Sequence, residues 1–129
     1  FSDSVLLCKR EIDPGFGKWT LPSGFMELGE SLEQGAQREA REEANLTLEI
    51  KYLQTIYSLP QIGQVYMLFL STILNDNYAP MHETSEVKLY SFGDIPWDQI
   101  AFSSVTFALE NYINDRKKGV LGKCHSNFN

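Results

Sequence analysis

Cysteine is scarce in this chain. The two present, Cys8 and Cys124, lie near opposite ends and outside any CxxC pair or Cys/His cluster, so neither a disulfide framework nor a contiguous zinc site is expected. That usage points to a reducing, cytoplasmic setting. Positive charge is also short: 11 Lys and Arg against 17 Asp and Glu leave a net charge of −6. Such a balance argues against broad contact with a nucleic-acid backbone or an anionic membrane, both of which attract clustered Lys and Arg. Long apolar runs are missing too. The longest, Val65 to Leu74, is interrupted by Tyr66, Ser71 and Thr72 and falls well short of the roughly 20 residues a bilayer-spanning helix needs. The start at Phe1 has neither an initiator Met nor a basic leader, so a trimmed chain with sequence lost upstream is expected. There is no repeat, linker or low-complexity tract, and 129 residues suit one soluble domain.

What is present is enough for a packed core: 43% of residues are hydrophobic and 12% aromatic. Val5-Leu6-Leu7-Cys8 reads as a buried strand ending at Lys9-Arg10. Asp13-Pro14-Gly15-Phe16-Gly17 is turn chemistry, and Trp19 to Met26 reads as two short extended pieces around Pro22-Ser23-Gly24. Ser31 to Ala44 lacks Pro and is rich in Glu, Gln, Ala and Arg, which predicts a helix. Leu46 to Ile50 alternates with period two, Tyr52 to Leu59 is a second extended stretch, and Ile62-Gly63-Gln64 turns into a strand from Val65 to Ile73 closed by Asn75-Asp76-Asn77. Glu86 to Phe92 alternates again, and Ile95-Pro96-Trp97 reads as a loop anchor. A last helix from Ser104 to Lys117 carries Val105, Ala108, Leu109, Tyr112 and Ile113 on one face and stops at Gly119. The polar tail after Gly122 is expected to fray. Strands and helices mixed in one domain give α/β or α+β.

The first helix is acidic on the wrong side. At about 100° per residue, Leu32, Ala36, Ala40 and Ala44 make a small-residue core face, Glu43 falls within it, Glu39 on its edge and Glu42 just beyond, while Arg38 and Arg41 point toward solvent. Carboxylates crowded at a half-buried edge repel one another and lose solvation. A divalent cation such as Mg²⁺ or Mn²⁺ reverses that cost, since it takes hard oxygen ligands and completes its shell with water and substrate phosphate. Residues three and four apart are neighbours on a helix, so Glu39, Glu42 and Glu43 can reach one metal cluster, with Glu30 joining from the N-terminal side.

Gly24-Phe25-Met26-Glu27-Leu28-Gly29-Glu30, the spacer Ser31 to Gln37, and Arg38-Glu39-Ala40-Arg41-Glu42-Glu43-Ala44-Asn45-Leu46 together resemble the Nudix box. Six residues, Gly24, Glu30, Arg38, Glu39, Glu42 and Glu43, match at fixed spacing, a coincidence expected about once in 10⁷ starting points. One position departs: Asn45 stands where the family has a glycine, and Asn is the next residue most tolerant of a left-handed helix cap. Trp19-Thr20-Leu21-Pro22 resembles the family's lead-in. Ser58 to Tyr66, and Ile95-Pro96-Trp97 with Ala101-Phe102, are similar to a subgroup associated with ADP-ribose and FAD pyrophosphatase activity, which carries a zinc ribbon upstream of the domain. Such a ribbon would precede Phe1.

The resemblance implies a mixed β-sheet between helices (α/β/α) and metal-dependent hydrolysis of the diphosphate bond in a nucleoside diphosphate linked to another moiety. It also implies roles. Glu39 and Glu43 are primary metal ligands, Glu42 a ligand or general base, Glu30 an auxiliary ligand or orienter of water, and Arg38 a partner that fixes a box carboxylate. Gly24 lets the backbone turn close beside the metal. A later glutamate, Glu86 or Glu83, is a further candidate for the base. Lys9, Arg10 and Lys18 are candidate phosphate contacts, and Tyr57, Tyr66 and Phe25 are candidate base-stacking residues. His82 and His125 receive no role. The expected partner is a small nucleotide, with no nucleic acid or membrane, and a homodimer is left open. A nucleoside triphosphate pyrophosphatase and a non-catalytic nucleotide-binding module are the alternatives.

Overall fold

The computed structural model describes residues 3–128; Phe1, Ser2 and Asn129 lie outside it, and with them the expectation of a cut start. Strand β1 (Ser4–Arg10) is buried through Leu6, Leu7 and Cys8, and alternation sends those residues to opposite faces. Leu6 and Cys8 pack with Leu46 and with Ala40 and Ala44 of helix α1 (Leu32–Ala44). Leu7 packs with Ile95, with Trp19 of β2 (Trp19–Thr20), and with Val105 and Leu109 of helix α2 (Ser103–Lys118). The sheet containing β1 is therefore covered by a helix on each side. Its order is β2-β1-β5, antiparallel throughout, with β5 spanning Thr84–Ser91 and a register shift between Lys9 and Arg10.

A second three-stranded sheet, β4-β3-β6, carries the mixed pairing: β3 (Leu48–Leu59) and β4 (Gln64–Ile73) are antiparallel, and β6 (His125–Ser126) runs parallel to β3. The fold is α+β with two sheets and two helices. The two extended pieces expected between Leu46 and Leu59 are one strand, whose pairing slips between Ile50 and Tyr52 and again between Leu53 and Thr55. Only Trp19 and Thr20 of the expected Trp19 to Met26 pair are strand; the rest is loop that wraps the start of α1. The tail is ordered rather than frayed. Its His125 Nε2 lies 2.7 Å from the buried Asp115 carboxylate, and Asn127 bonds both the Ser58 N–H and the Ser58 carbonyl from its side chain.

Helix α1 is fixed at both ends. Ser31 and Gln34 form a reciprocal capping box, with Gln34 N–H donating to Ser31 Oγ at 3.1 Å and Ser31 N–H to Gln34 Oε1 at 2.9 Å. Asn45 closes the other end in the left-handed region, at φ 53° and ψ 39°. Three backbone N–H groups from the loop before β5 then satisfy the last carbonyls: Ala79 on Ala44, Met81 on Glu43 and His82 on Glu42, at 3.0–3.1 Å. Those carbonyls have no partner inside the helix, so this loop is tied to the very turn that carries the paired glutamates.

Candidate active site

The box residues gather where α1 meets the Ser23–Glu30 loop. Arg38 departs from the helical wheel: its side chain is 15% exposed and turns back among the carboxylates instead of reaching solvent. Nε donates to Glu30 Oε2 at 2.6 Å, Nη1 to Glu39 Oε1 at 2.8 Å and Glu42 Oε1 at 3.1 Å, and Nη2 to Glu30 Oε1 and the Phe25 carbonyl. The loop explains this geometry, because it wraps the flank of α1 and supplies acceptors on the side a bare wheel assigns to water. The Arg38 hydrogen bonds, helped by the Glu27 N–H, hold the Glu30 carboxyl below its usual range. They also push the Arg38 pKa higher still. Glu27, 3.5 Å from Arg38 Nε, adds a charge that sequence reasoning did not single out, although it lies within the same motif.

Glu43 is arranged differently. It is half-buried, hydrogen-bonded to the Glu39 carboxyl and to the Ser23 N–H at 3.0 Å. Burial, followed by the carboxyl of Glu39, pushes its pKa up to about 8, against the opposing pull of the Ser23 N–H and the Arg10 charge. Two carboxyls this close cannot both ionise cheaply, so one retains a proton. Gly24 makes the arrangement possible: a Cβ there would come under 3.0 Å from all three terminal atoms of Glu39. Beneath the pair, burial and then Glu43 raise the Cys8 thiol to about 12, which leaves it inert. Both cysteines are free, Cys8 buried and Cys124 exposed.

Among the described residues no three Asp, Glu, His or Cys side chains form a ready metal cage. The expected four-glutamate cluster is divided: Arg38 engages Glu30, Glu39 and Glu42, and Glu39 also joins Glu43. The residues still fit a divalent ion, since Mg²⁺ is commonly held by one or two carboxylates with water and substrate phosphate completing its shell. The closeness of the Glu39 and Glu43 carboxyls marks where a cation would relieve the repulsion.

The box opens onto a cleft of about 2190 Å³ between the two sheets, with Arg10, Glu39, Glu43, Glu83, Tyr66 and Phe102 among its lining residues. Glu86 is not among them; on β5 it pairs across from Lys9 and helps raise the Tyr90 hydroxyl. Glu83 does line the cleft, on the loop tied to α1, with φ at 54°. Lys9 lines it too, its ammonium 5.9 Å from the Trp19 ring centre. Lys18 and Tyr57 are not lining residues, and Tyr57 instead meets Phe107 edge-on at 5.4 Å and bonds Ser103. Phe25 lines the cleft and is 78% exposed. The Ser23 N–H, the Phe25 carbonyl and the Ala79–His82 strap carry no side-chain signature that sequence could have shown.

Comparison with known proteins agrees with this geometry. The chain is 48% identical to a NUDIX hydrolase from Nitrosomonas europaea of known crystal structure, with a TM-score of 0.93 over 98% of this chain and 71% of that one. It is 28% identical over 98 residues to an ADP-ribose pyrophosphatase of Methanocaldococcus jannaschii, covering 73% of this chain and 58% of the relative. It is 31% identical over 101 residues to an oxidized purine nucleoside triphosphate hydrolase of Danio rerio, covering 78% of this chain and 64% of the relative. The chain thus spans about six-tenths of the length of these two curated relatives. The NUDIX domain family model matches residues 1–108, the span that holds Gly24 to Leu46, and the chain belongs to the NUDIX hydrolase family.

Proposed function

We propose that this domain hydrolyses the diphosphate bond of a nucleoside diphosphate joined to another moiety, such as ADP-ribose or FAD, with Mg²⁺ or Mn²⁺. The observation that carries the reading is the Glu39–Glu43 pair, two carboxyls pressed together beside Gly24, with Glu43 pushed up by burial and by its neighbour. Nudix hydrolases generally use divalent metals, and Glu39 and Glu43 would hold one here. When bound, a divalent ion offsets phosphate charge and lowers the pKa of a coordinated water toward neutrality. Arg38 keeps Glu39 in place and also bonds Glu30 and Glu42, a positioning role.

Glu42 is more open than Glu30 and Glu39, its side chain 49% exposed and bonded to Arg38 through Oε1, so it can serve as a further ligand or as the base. Glu83 is the better candidate for a base from the later loop, because it lines the cleft and Glu86 does not. The ADP-ribose pyrophosphatase name of the M. jannaschii relative supports this substrate class. Membership of the zinc-ribbon-associated subgroup and a cytoplasmic location belong to the same proposal. A second reading, hydrolysis of nucleoside triphosphates, is favoured by relatives named for that activity, the D. rerio enzyme and an Enterobacter nucleoside triphosphatase 36% identical over 79 residues.

The test is a panel of ADP-ribose, FAD, NADH, nucleotide sugars and nucleoside triphosphates with Mg²⁺ or Mn²⁺, followed by phosphate-product chromatography. Preference for the dinucleotides and ADP-ribose by at least about tenfold in kcat/KM supports the first reading. The same preference for triphosphates supports the second, and turnover of none overturns both.

A further inference from the structure

Two arginines stand beside the box, and they use their donors in opposite ways. Arg38 has engaged Nε, Nη1 and Nη2 with Glu30, Glu39, Glu42 and the Phe25 carbonyl. Arg10 has engaged only Nε, which donates to the Pro14 carbonyl at 2.6 Å. Among the described residues its Nη1 and Nη2 make no hydrogen bond. Its guanidinium is nonetheless held firmly: the carbon at its centre lies 5.0 Å from the Phe102 ring centre. Its stem runs against Gly15, where an added Cβ would meet Arg10 Cδ at 3.2 Å and Ala101 Cβ at 3.0 Å.

Phe102 is itself pinned by backbone. Ile100 bridges to Trp19 of β2 in parallel, Ala101 N–H donates to the Trp19 carbonyl at 2.8 Å, and Phe102 is the N-cap of α2 without a side-chain capping bond. The ring is thus placed by β2 and α2, and β1 brings Arg10 beneath it. Both residues line the same cleft as Glu43. An arginine with its planar head fixed and its terminal nitrogens unspent has already lost the rotamer freedom that binding would otherwise remove.

We propose that Phe102 is a positioning residue: with the Pro14 carbonyl, its ring holds the Arg10 guanidinium so that Nη1 and Nη2 grip phosphoryl oxygens of the diphosphate in the cleft that Arg10 and Phe102 both line. The proposal rests on the diphosphate reading above. It assigns Phe102 an effect on substrate affinity exerted entirely through Arg10.

The experiment measures binding of inorganic pyrophosphate by titration calorimetry, in EDTA and in Mg²⁺, for wild type, Arg10→Gln, Phe102→Leu, Phe102→Tyr and Arg10→Gln with Phe102→Leu. It also measures KM and kcat on whichever diphosphate the substrate panel selects. Loss of Arg10 should weaken pyrophosphate binding about 10- to 100-fold. Phe102→Leu should weaken it about 3- to 10-fold, with the effect in KM rather than kcat, while Phe102→Tyr keeps most of the affinity. In the Arg10→Gln background, Phe102→Leu should add nothing. Equal affinity of the leucine and wild-type proteins, equal loss in leucine and tyrosine variants, or multiplying effects in the double variant would overturn the proposal. Both Phe102 variants keep most of the side-chain volume, and circular dichroism is the check that each is folded. Pyrophosphate binding does not require turnover, so a wild type that hydrolyses nothing defeats the functional reading while the calorimetry still decides this one.

Discussion

Glu43→Gln should make the metal-free protein more stable at high pH while destroying its activity. A carboxyl whose folded pKa exceeds its unfolded value gives stability that is complete below the unfolded pKa, near 4.5, and is lost as pH rises through the folded pKa, about 8. Every tenfold gain in proton affinity on folding corresponds to about 1.4 kcal/mol. The half-buried position of Glu43 and the nearby Arg10 charge call for a discount for solvent screening, leaving on the order of 2 kcal/mol lost across that window. Glutamine mimics the protonated acid at every pH. Its amide can donate to Glu39, and its oxygen can accept the Ser23 N–H, so the variant should not show this loss.

Urea unfolding in EDTA at pH 5, 7 and 9 gives the measurement, because taking the difference between the two proteins removes the titrations they share. At pH 5 the proteins should match. By pH 9 the variant should unfold at roughly 1 M higher urea, for a slope typical of a small domain. If the proposed divalent cation binds the deprotonated pair, Mg²⁺ should stabilise wild type at pH 9 and have little effect on the variant. Turnover of the variant should fall at least about 100-fold. Parallel pH profiles for the two proteins, or equal stabilisation of both by Mg²⁺, would refute the retained-proton account of Glu43.

Three other substitutions separate position from stability. Gly24→Ala puts a Cβ into the Glu39 carboxyl, so turnover should drop about 10- to 100-fold while the melting temperature stays within about 5 °C; an active variant would show that Glu39 can move at no catalytic cost. Asn45→Ala forces an alanine to φ 53° and removes the Asn45 side-chain bond to the Asn77 carbonyl, costing about 1–2 kcal/mol in denaturant melts, and Asn45→Gly should cost less than half of that. Asp115→Ala takes away the buried partner of His125, so stability should fall by about 2 kcal/mol and limited proteolysis should cut after Gly119; a tail as resistant as wild type would mean that the Asn127–Ser58 bonds suffice to hold it.

The parts of the fold that sequence makes readable are those governed by local rules. The composition of Ser31 to Ala44 reads as the helix that runs from Leu32 to Ala44, and the left-handed stop at Asn45 follows from what a non-glycine cap tolerates. Contacts between distant segments are less visible. The alternation from Leu48 to Leu59 reads as two strands because it breaks near Lys51, where the pairing of a single strand slips. His125 looks idle until α2 places Asp115 beside it. Glu83 and Glu86 look equivalent in sequence, yet the strap from Ala79 to His82 puts Glu83 in the cleft while β5 pairs Glu86 with Lys9.

Arg38 shows why a wheel can identify the right residues and misplace a charge. The wheel gives the direction of a Cα–Cβ bond, but a guanidinium reaches several ångströms farther and follows the nearest acceptors. Here the Phe25 to Glu30 loop supplies them. The consequence for the site is electrostatic. The single charge of Arg38 offsets only part of that on Glu30, Glu39 and Glu42, so the site stays anionic, and burial together with Glu39 raises the Glu43 carboxyl. A uniform patch of four carboxylates would attract cations diffusely, whereas carboxylates partly offset by Arg38 beside the half-buried Glu39–Glu43 pair make that pair the place where positive charge is most favourable. Arg10, held by the Pro14 carbonyl and the Phe102 ring with Nη1 and Nη2 unbonded among the described residues, remains available to an anion. The net charge of −6 is therefore a poor guide to what this cleft binds: the acids are sorted by two arginines, one satisfied and one open.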